Sequence, residues 1–113
     1  MTFDNVYTIV SACATAVGGT STYYQWPVGS APEPPYVIYY YPNSDDVHAD
    51  NTNYVAVRPV NIELYTDNKD FTAEAAIEGI LKNNGLSWQK TETHLDDESM
   101  FMVLYEMEVI ING

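Results

Sequence analysis

The sequence predicts an α+β fold, in which an antiparallel or mixed β-sheet carries two α-helices on one face and an extended proline-rich arm. Two segments repeat apolar residues at helical spacing, and several others have the alternating or β-branched pattern of strands. Their order is helix, arm, three strands, helix and two strands, which suits one sheet with both helices against the same face. A chain of 113 residues has the length of one domain, so we expect a single unit over residues 1–113.

The first predicted helix covers residues 3–17. Its apolar residues recur three or four positions apart, and they are Val6, Ile9, Val10, Cys13 and Val17. Thr2 or Asp4 can cap its start, and Gly18 with Gly19 ends it.

Residues 18–35 are predicted to form the extended arm or a long loop. The segment holds four prolines and three glycines, which excludes a regular helix or a central strand. It also carries Tyr23, Tyr24 and Trp26.

Five strands are predicted, at residues 36–41, 54–57, 60–66, 86–93 and 101–111. A polar, acidic loop at residues 43–53 separates the first two. Strict alternation in the third strand places Val60, Ile62 and Leu64 on the core and Asn61, Glu63 and Tyr65 on the other face. The last two strands are expected to pair antiparallel around a charged turn at residues 96–98. The final strand places Phe101, Val103, Tyr105, Met107 and Val109 on one face.

The second predicted helix follows a turn at residues 67–70 and ends at Asn84 and Gly85. Its apolar stripe is formed by Ala73, Ala76, Ile77, Ile80 and Leu81. Glu74, Glu78 and Lys82 are expected on the opposite side, where Glu78 and Lys82 have the spacing of an ion pair.

Sixteen acidic residues face four basic ones, which gives a formal net charge of −12. This balance disfavours binding to nucleic acid or to anionic membranes, because both depend on clustered lysine and arginine. No apolar run approaches the roughly 20 residues that span a bilayer.

No catalytic, cofactor or metal site is predicted. Cys13 lies on the apolar stripe of a helix, as a core thiol would. Asp45, Asp46, His48 and Asp50 could surround a cation, but their spacing matches no calcium loop, and a solvated acidic loop is the simpler interpretation. The carboxylates of residues 96–98 fit a solvated turn better than an acid–base pair.

The tyrosines and tryptophans of the arm and first strand are too many for the core of so small a domain. Such residues are favoured at protein interfaces, so we expect a partner chain to cover some of them. The candidate subunit-interface residues are Tyr23, Tyr24, Trp26, Tyr39, Tyr41 and Tyr65. The arm could instead fold back over its own subunit.

The sequence resembles the tail-completion or tail-terminator proteins of long-tailed phages and prophages of Gram-positive bacteria. The resemblance is carried by Trp26-Pro27, by residues 34–39 and 60–70, by the helix ending at Asn84-Gly85, and by residues 90–93 and 104–108. It covers nearly the whole chain, and its motifs encode strands, turns and caps rather than chemistry.

The resemblance implies a non-enzymatic virion subunit that is assembled in the bacterial cytoplasm. Copies of the chain would form a ring, a hexamer in this family, which ends the tail tube and joins tail to head. The implied partners are the tail-tube protein and a head-closure or connector protein, and DNA would pass through without specific binding. A head-closure or minor tail protein is the first alternative, and a small enzyme or metal-dependent binding protein is the second.

Overall fold

The computed structural model describes residues 1–42 and 56–111. The predicted acidic loop at 43–53 and the start of the predicted strand at 54–57 lie outside the described residues. The elements are α1 (Phe3–Ala16), β1 (Thr20–Tyr23), β2 (Tyr36–Tyr40), β3 (Ala56–Thr66), α2 (Phe71–Asn83), β4 (Gln89–Leu95) and β5 (Met100–Ile111), with a short 3₁₀ turn at Asp96–Glu98. Neither helix of this described part is long and apolar enough to cross a bilayer.

The strands form one five-stranded mixed sheet in the order β1-β2-β3-β5-β4. β1 runs parallel to β2, and the other neighbouring pairs are antiparallel. The prediction of an α+β fold with a mixed sheet is therefore confirmed.

Both helices begin at side chains that accept hydrogen bonds from free backbone N–H groups. The Thr2 side chain accepts from the Asn5 backbone N–H, and the Thr2 backbone N–H donates to the Asn5 side-chain oxygen, which forms a capping box. The Asp70 side chain accepts from the Ala73 backbone N–H at the start of α2. α1 ends at Ala16, and Gly18, two residues later, has a positive φ of 80° that is accessible to glycine at little cost.

The core lies between the two helices and one face of the sheet. α1 contributes Val6, Ile9, Val10, Cys13 and Ala14, α2 contributes Ala73, Ile77 and Leu81, and the sheet contributes Val37, Val60, Ile62, Leu64, Val103, Tyr105, Met107, Val109 and Ile111. The strand alternation predicted for β3 and β5 is thus confirmed. Ile80, predicted in the same helix stripe, is only half-buried. We call the sheet face that carries the helices the helix side, and the opposite face the open face.

The predicted extended arm is wrong for the described chain. Thr20–Tyr23 forms the edge strand β1, and residues 24–35 return the chain to the start of β2. Gly19 makes this pairing possible, because a Cβ at this position would lie 2.1 Å from the Pro35 carbonyl oxygen. Only glycine lets the two backbones come so close.

The prediction of separate strands before and after Pro59 is also wrong. β3 runs through Pro59, which pairs with Glu108 of β5. Proline cannot donate a backbone hydrogen bond, but β2 pairs with β3 only from Asn61 to Tyr65. On the side of β3 that faces β2, no described strand is paired with Pro59, so the missing N–H of Pro59 leaves no described acceptor without its hydrogen bond.

Glu74 was expected on the solvent side of α2, but it is buried, with 3% of its surface exposed. Its two carboxylate oxygens lie 2.6 Å from Lys69 Nζ and 2.8 Å from Lys90 Nζ. Burial by itself raises the pKa of Glu74, but the hydrogen bonds and charges of the two lysines outweigh burial and lower it. Two cations thus make an acidic group tolerable inside the fold.

Glu78 takes part in the same network. It binds Lys90 at 2.7 Å and accepts a hydrogen bond of 2.9 Å from the Tyr105 hydroxyl, rather than pairing with Lys82 as predicted. Lys69 also contacts Glu92. The network joins α2 to the otherwise exposed edge strand β4.

Candidate subunit interface

One group of aromatic side chains lies on the helix side, where α1 meets β1 and β2. We call Phe3, Tyr23, Tyr39 and Tyr41 the helix-side aromatic cluster. Ring centroids are 5.1 Å apart for Tyr23 and Tyr39, 5.9 Å for Tyr23 and Tyr41, and 5.2 Å for Phe3 and Tyr41. The parallel pairing of β1 with β2 places Tyr23 directly beside Tyr39.

The helix-side aromatic cluster is only half covered by its own chain. Phe3 is 47% exposed and Tyr23 is 49% exposed, and Tyr7, one turn after Phe3 on α1, is also exposed. The Arg58 guanidinium lies 5.8 Å from the centre of the Phe3 ring, within the range of a cation–π contact. Burial, helped by Tyr39 and Tyr23 and opposed by Arg58, raises the pKa of Tyr41 to about 12.

A second aromatic group lies on the open face. We call Tyr24, Trp26, Tyr36, Tyr40 and Tyr65 the open-face aromatic row. Its ring pairs are Tyr24 with Tyr40 at 6.1 Å, Trp26 with Tyr36 at 5.6 Å, and Tyr36 stacked on Tyr65 at 4.9 Å. Residues 24–35 therefore place Trp26 against their own subunit.

The Glu63 carboxylate fixes two tyrosines of this row. It accepts a hydrogen bond of 2.8 Å from the Tyr40 hydroxyl and one of 2.6 Å from the Tyr65 hydroxyl. Asn61 donates to the Tyr40 oxygen at 3.3 Å. Burial first, and then the Glu63 carboxylate, raise the pKa of Tyr65 well above its usual value.

The six predicted interface residues therefore separate onto two faces of the sheet. Tyr23, Tyr39 and Tyr41 belong to the helix-side aromatic cluster, and Tyr24, Trp26 and Tyr65 belong to the open-face aromatic row. Sequence analysis missed Phe3 and Tyr7. Their spacing of four residues on the polar side of α1 was the available signal, because it places two aromatic rings together away from the core.

The described residues offer little for catalysis. Cys13 is fully buried, and burial raises the pKa of its thiol to about 12, so it stays protonated and unreactive. His94 Nδ1 lies 2.6 Å from Asp96 Oδ1 at the exposed tip between β4 and β5. Within residues 1–42 and 56–111, no three His, Cys, Asp or Glu side chains are grouped so that they could hold a metal ion. Asp45, Asp46, His48 and Asp50 lie outside the described residues.

No protein family and no curated protein matches the chain in sequence. Among solved structures, a chain in the virion of a native gene transfer agent particle has a similar fold, with a TM-score of 0.59 and 21% sequence identity. The similarity covers 96% of this chain and 92% of that chain. At this level of identity, the comparison establishes a shared fold over almost the full length of both.

Proposed function

We propose that this chain is a structural, non-enzymatic component of a phage-like virion and that it acts there as a tail-terminator or tail-completion subunit. The observation that carries the proposal is the fold shared with a chain of the gene transfer agent virion, end to end and without a large insertion on either side. The sequence motifs that resemble tail terminators support the finer assignment. In this role, copies of the chain form a hexameric ring at the end of the tail tube.

The helix-side aromatic cluster supplies the subunit contact in this proposal. A surface that exposes Phe3, Tyr7 and Tyr23 on so acidic a chain is best stabilised by another protein surface, since aromatic residues are enriched at interfaces and charged ones are depleted. In a ring, the cluster of one subunit contacts a different surface of the next, so that the contacts close with cyclic symmetry.

The charge of the chain suits a passage for DNA. With a formal net charge of −12 per subunit, the wall of a ring repels phosphates and does not hold the duplex. The further partners are the tail-tube protein on one side of the ring and a head-closure or connector protein on the other.

Mass photometry and electron microscopy of the purified chain test the ring directly. We expect closed rings of six copies at micromolar concentration, or on addition of tail-tube protein. A chain that stays monomeric at high concentration and does not bind tail-tube protein would contradict the proposal.

Two neighbouring tyrosines allow a matched test of the subunit contact. Tyr23→Ser removes a ring from the helix-side aromatic cluster, and Tyr24→Ser removes a somewhat more exposed ring from the opposite face. We expect Tyr23→Ser to reduce the ring fraction strongly and Tyr24→Ser to leave it almost unchanged. The reverse result would place the subunit contact on the open face.

Deletion of the gene distinguishes a tail terminator from a head-closure protein. Overlong tails of variable length indicate a terminator. Tails of normal length beside heads that leak DNA indicate head closure and would overturn the terminator assignment.

A further inference from the structure

The two faces of the sheet differ in which charged residues they carry. Glu63, Glu106 and Glu108 point to the open face, as the strand alternation requires. All four basic residues of the chain lie in the helix layer or on the helix side. Lys69 and Lys90 bind Glu74, Arg58 lies over Phe3, and Lys82 is in α2. Among the described residues, the open face therefore carries carboxylates but no lysine or arginine.

A groove of about 660 Å³ lies on this face. Its floor is formed by Tyr36, Ile38 and Tyr65, and its wall by the tip between β4 and β5. Tyr36 and Ile38 are each 7% exposed, so both are held in place by their own chain.

The wall of the groove carries carboxylates that have no partner among the described residues. Asp97 and Glu98 are exposed and make no hydrogen bond or ion pair within the described chain, whereas Asp96 binds His94. The groove thus combines aromatic rings on the floor with uncompensated negative charge on the wall.

We propose that this groove binds a segment of a partner protein that presents a lysine or arginine side chain between apolar residues. The aliphatic stem of such a side chain packs on Tyr36 and Tyr65, and its charged end reaches Asp97 and Glu98. Nucleic acid is disfavoured by the same carboxylates. A second copy of this chain is disfavoured as well, because it brings a net charge of −12 and has most of its own cations engaged.

The inference rests on the proposed function, because the bound segment would belong to a neighbouring virion protein other than this chain. It deepens that function by adding a second contact surface. It assigns this contact to the open face and leaves the helix-side aromatic cluster to the ring. The binding test itself uses the full chain and does not require rings to form.

The probe is a hexapeptide of alternating leucine and lysine, titrated into the labelled chain and followed by NMR. A leucine–glutamine hexapeptide is the uncharged control. We expect the lysine peptide to shift the resonances of Ile38, Leu95 and Tyr65, and the glutamine peptide to bind much more weakly.

Two double variants that lose the same number of charges distinguish attraction of the peptide to the groove from attraction to an acidic protein in general. Asp97→Asn with Glu98→Gln removes the charges of the groove wall, while Asp4→Asn with Glu108→Gln removes two exposed charges elsewhere. The first variant should weaken peptide binding about five-fold, the effect of losing two exposed ion pairs, and the second by less than about two-fold.

Several results would overturn the inference. Equal weakening in both double variants would mean general attraction to an acidic protein, and shifts confined to the helix-side aromatic cluster would mean the wrong surface. Concentration-dependent shifts of the open face without peptide would identify a second copy as the occupant. Rings that form while no peptide binds would overturn this inference alone, whereas peptide binding by a persistent monomer would overturn only the ring.

Discussion

The buried carboxylate of Glu74 provides the sharpest test of the energetics of the fold. Glu74→Gln keeps the shape of the side chain but removes the charge that Lys69 and Lys90 share. Removing one partner from a fully buried ion pair costs about 3–5 kcal/mol. Here the lysine side chains are 25% and 37% exposed, so water still solvates them in part. We therefore expect the free energy of unfolding to fall by about 1–3 kcal/mol near neutral pH.

The pH dependence of this loss follows from the lowered pKa of Glu74. A carboxyl group whose pKa is lower in the folded than in the unfolded chain stabilises the fold above its ordinary pKa of 4.5. The stabilisation disappears as pH falls through the folded pKa. The difference between the wild-type chain and Glu74→Gln should therefore shrink steadily below pH 4.5, because the protonated carboxyl group and the amide are then equally neutral.

Urea denaturation, followed by circular dichroism at a series of pH values, measures this difference. Glu92→Gln is the matched control, because within residues 1–42 and 56–111 Glu92 binds only Lys69, and it is 41% exposed. Its effect should stay below about 1 kcal/mol at all pH values. A Glu74→Gln loss that is the same at about pH 3 as at about pH 7 would refute the assignment of the lowered pKa to this ion-pair network.

Three further predictions concern the core, the segment of residues 24–35 and the tyrosines. Ile77→Ala should lower the free energy of unfolding by about 2–5 kcal/mol in urea denaturation. Ile80→Ala should lower it by only about 1–2 kcal/mol, because Ile80 is half-buried. Trp26→Ala should lower the melting temperature of the monomer, at a cost of about 1–3 kcal/mol, because Trp26 packs on its own Tyr36. At alkaline pH, stability should hold to about pH 10 and then fall, with tyrosinate absorbance rising on unfolding, because burial raises the pKa of Tyr41 to about 12.

The sequence predicted the buried side of an element correctly where a single periodic pattern of apolar residues determined it. The helical spacing of Val6, Val10 and Cys13, and the alternation of Val60, Ile62 and Leu64, each identified the side that is buried. The cap at Thr2 and the glycine after α1 also follow from local chemistry. The α+β class could be predicted for these reasons.

The remaining features depend on contacts between distant segments. β1 is only four residues long and stands beside glycines and prolines, so its strand character appears only when β2 offers an edge. Glu74 is buried because Lys69 and Lys90 reach it from outside the helix, which no helical pattern encodes. The candidate interface residues could be named by type, but their division between two faces depends on the register of β1 and β2.

The engagement of Lys69 and Lys90 with Glu74 also affects how two copies of the chain would approach each other. Because those two cations are paired with carboxylates, the charge of each subunit is mostly negative, and the approach of two subunits would be opposed over the distance of the Debye length, about 10 Å at 0.1 M salt. Attraction between copies must then come from apolar contact at short range. Dissolved ions of any kind would favour assembly simply by screening, without any site that binds them.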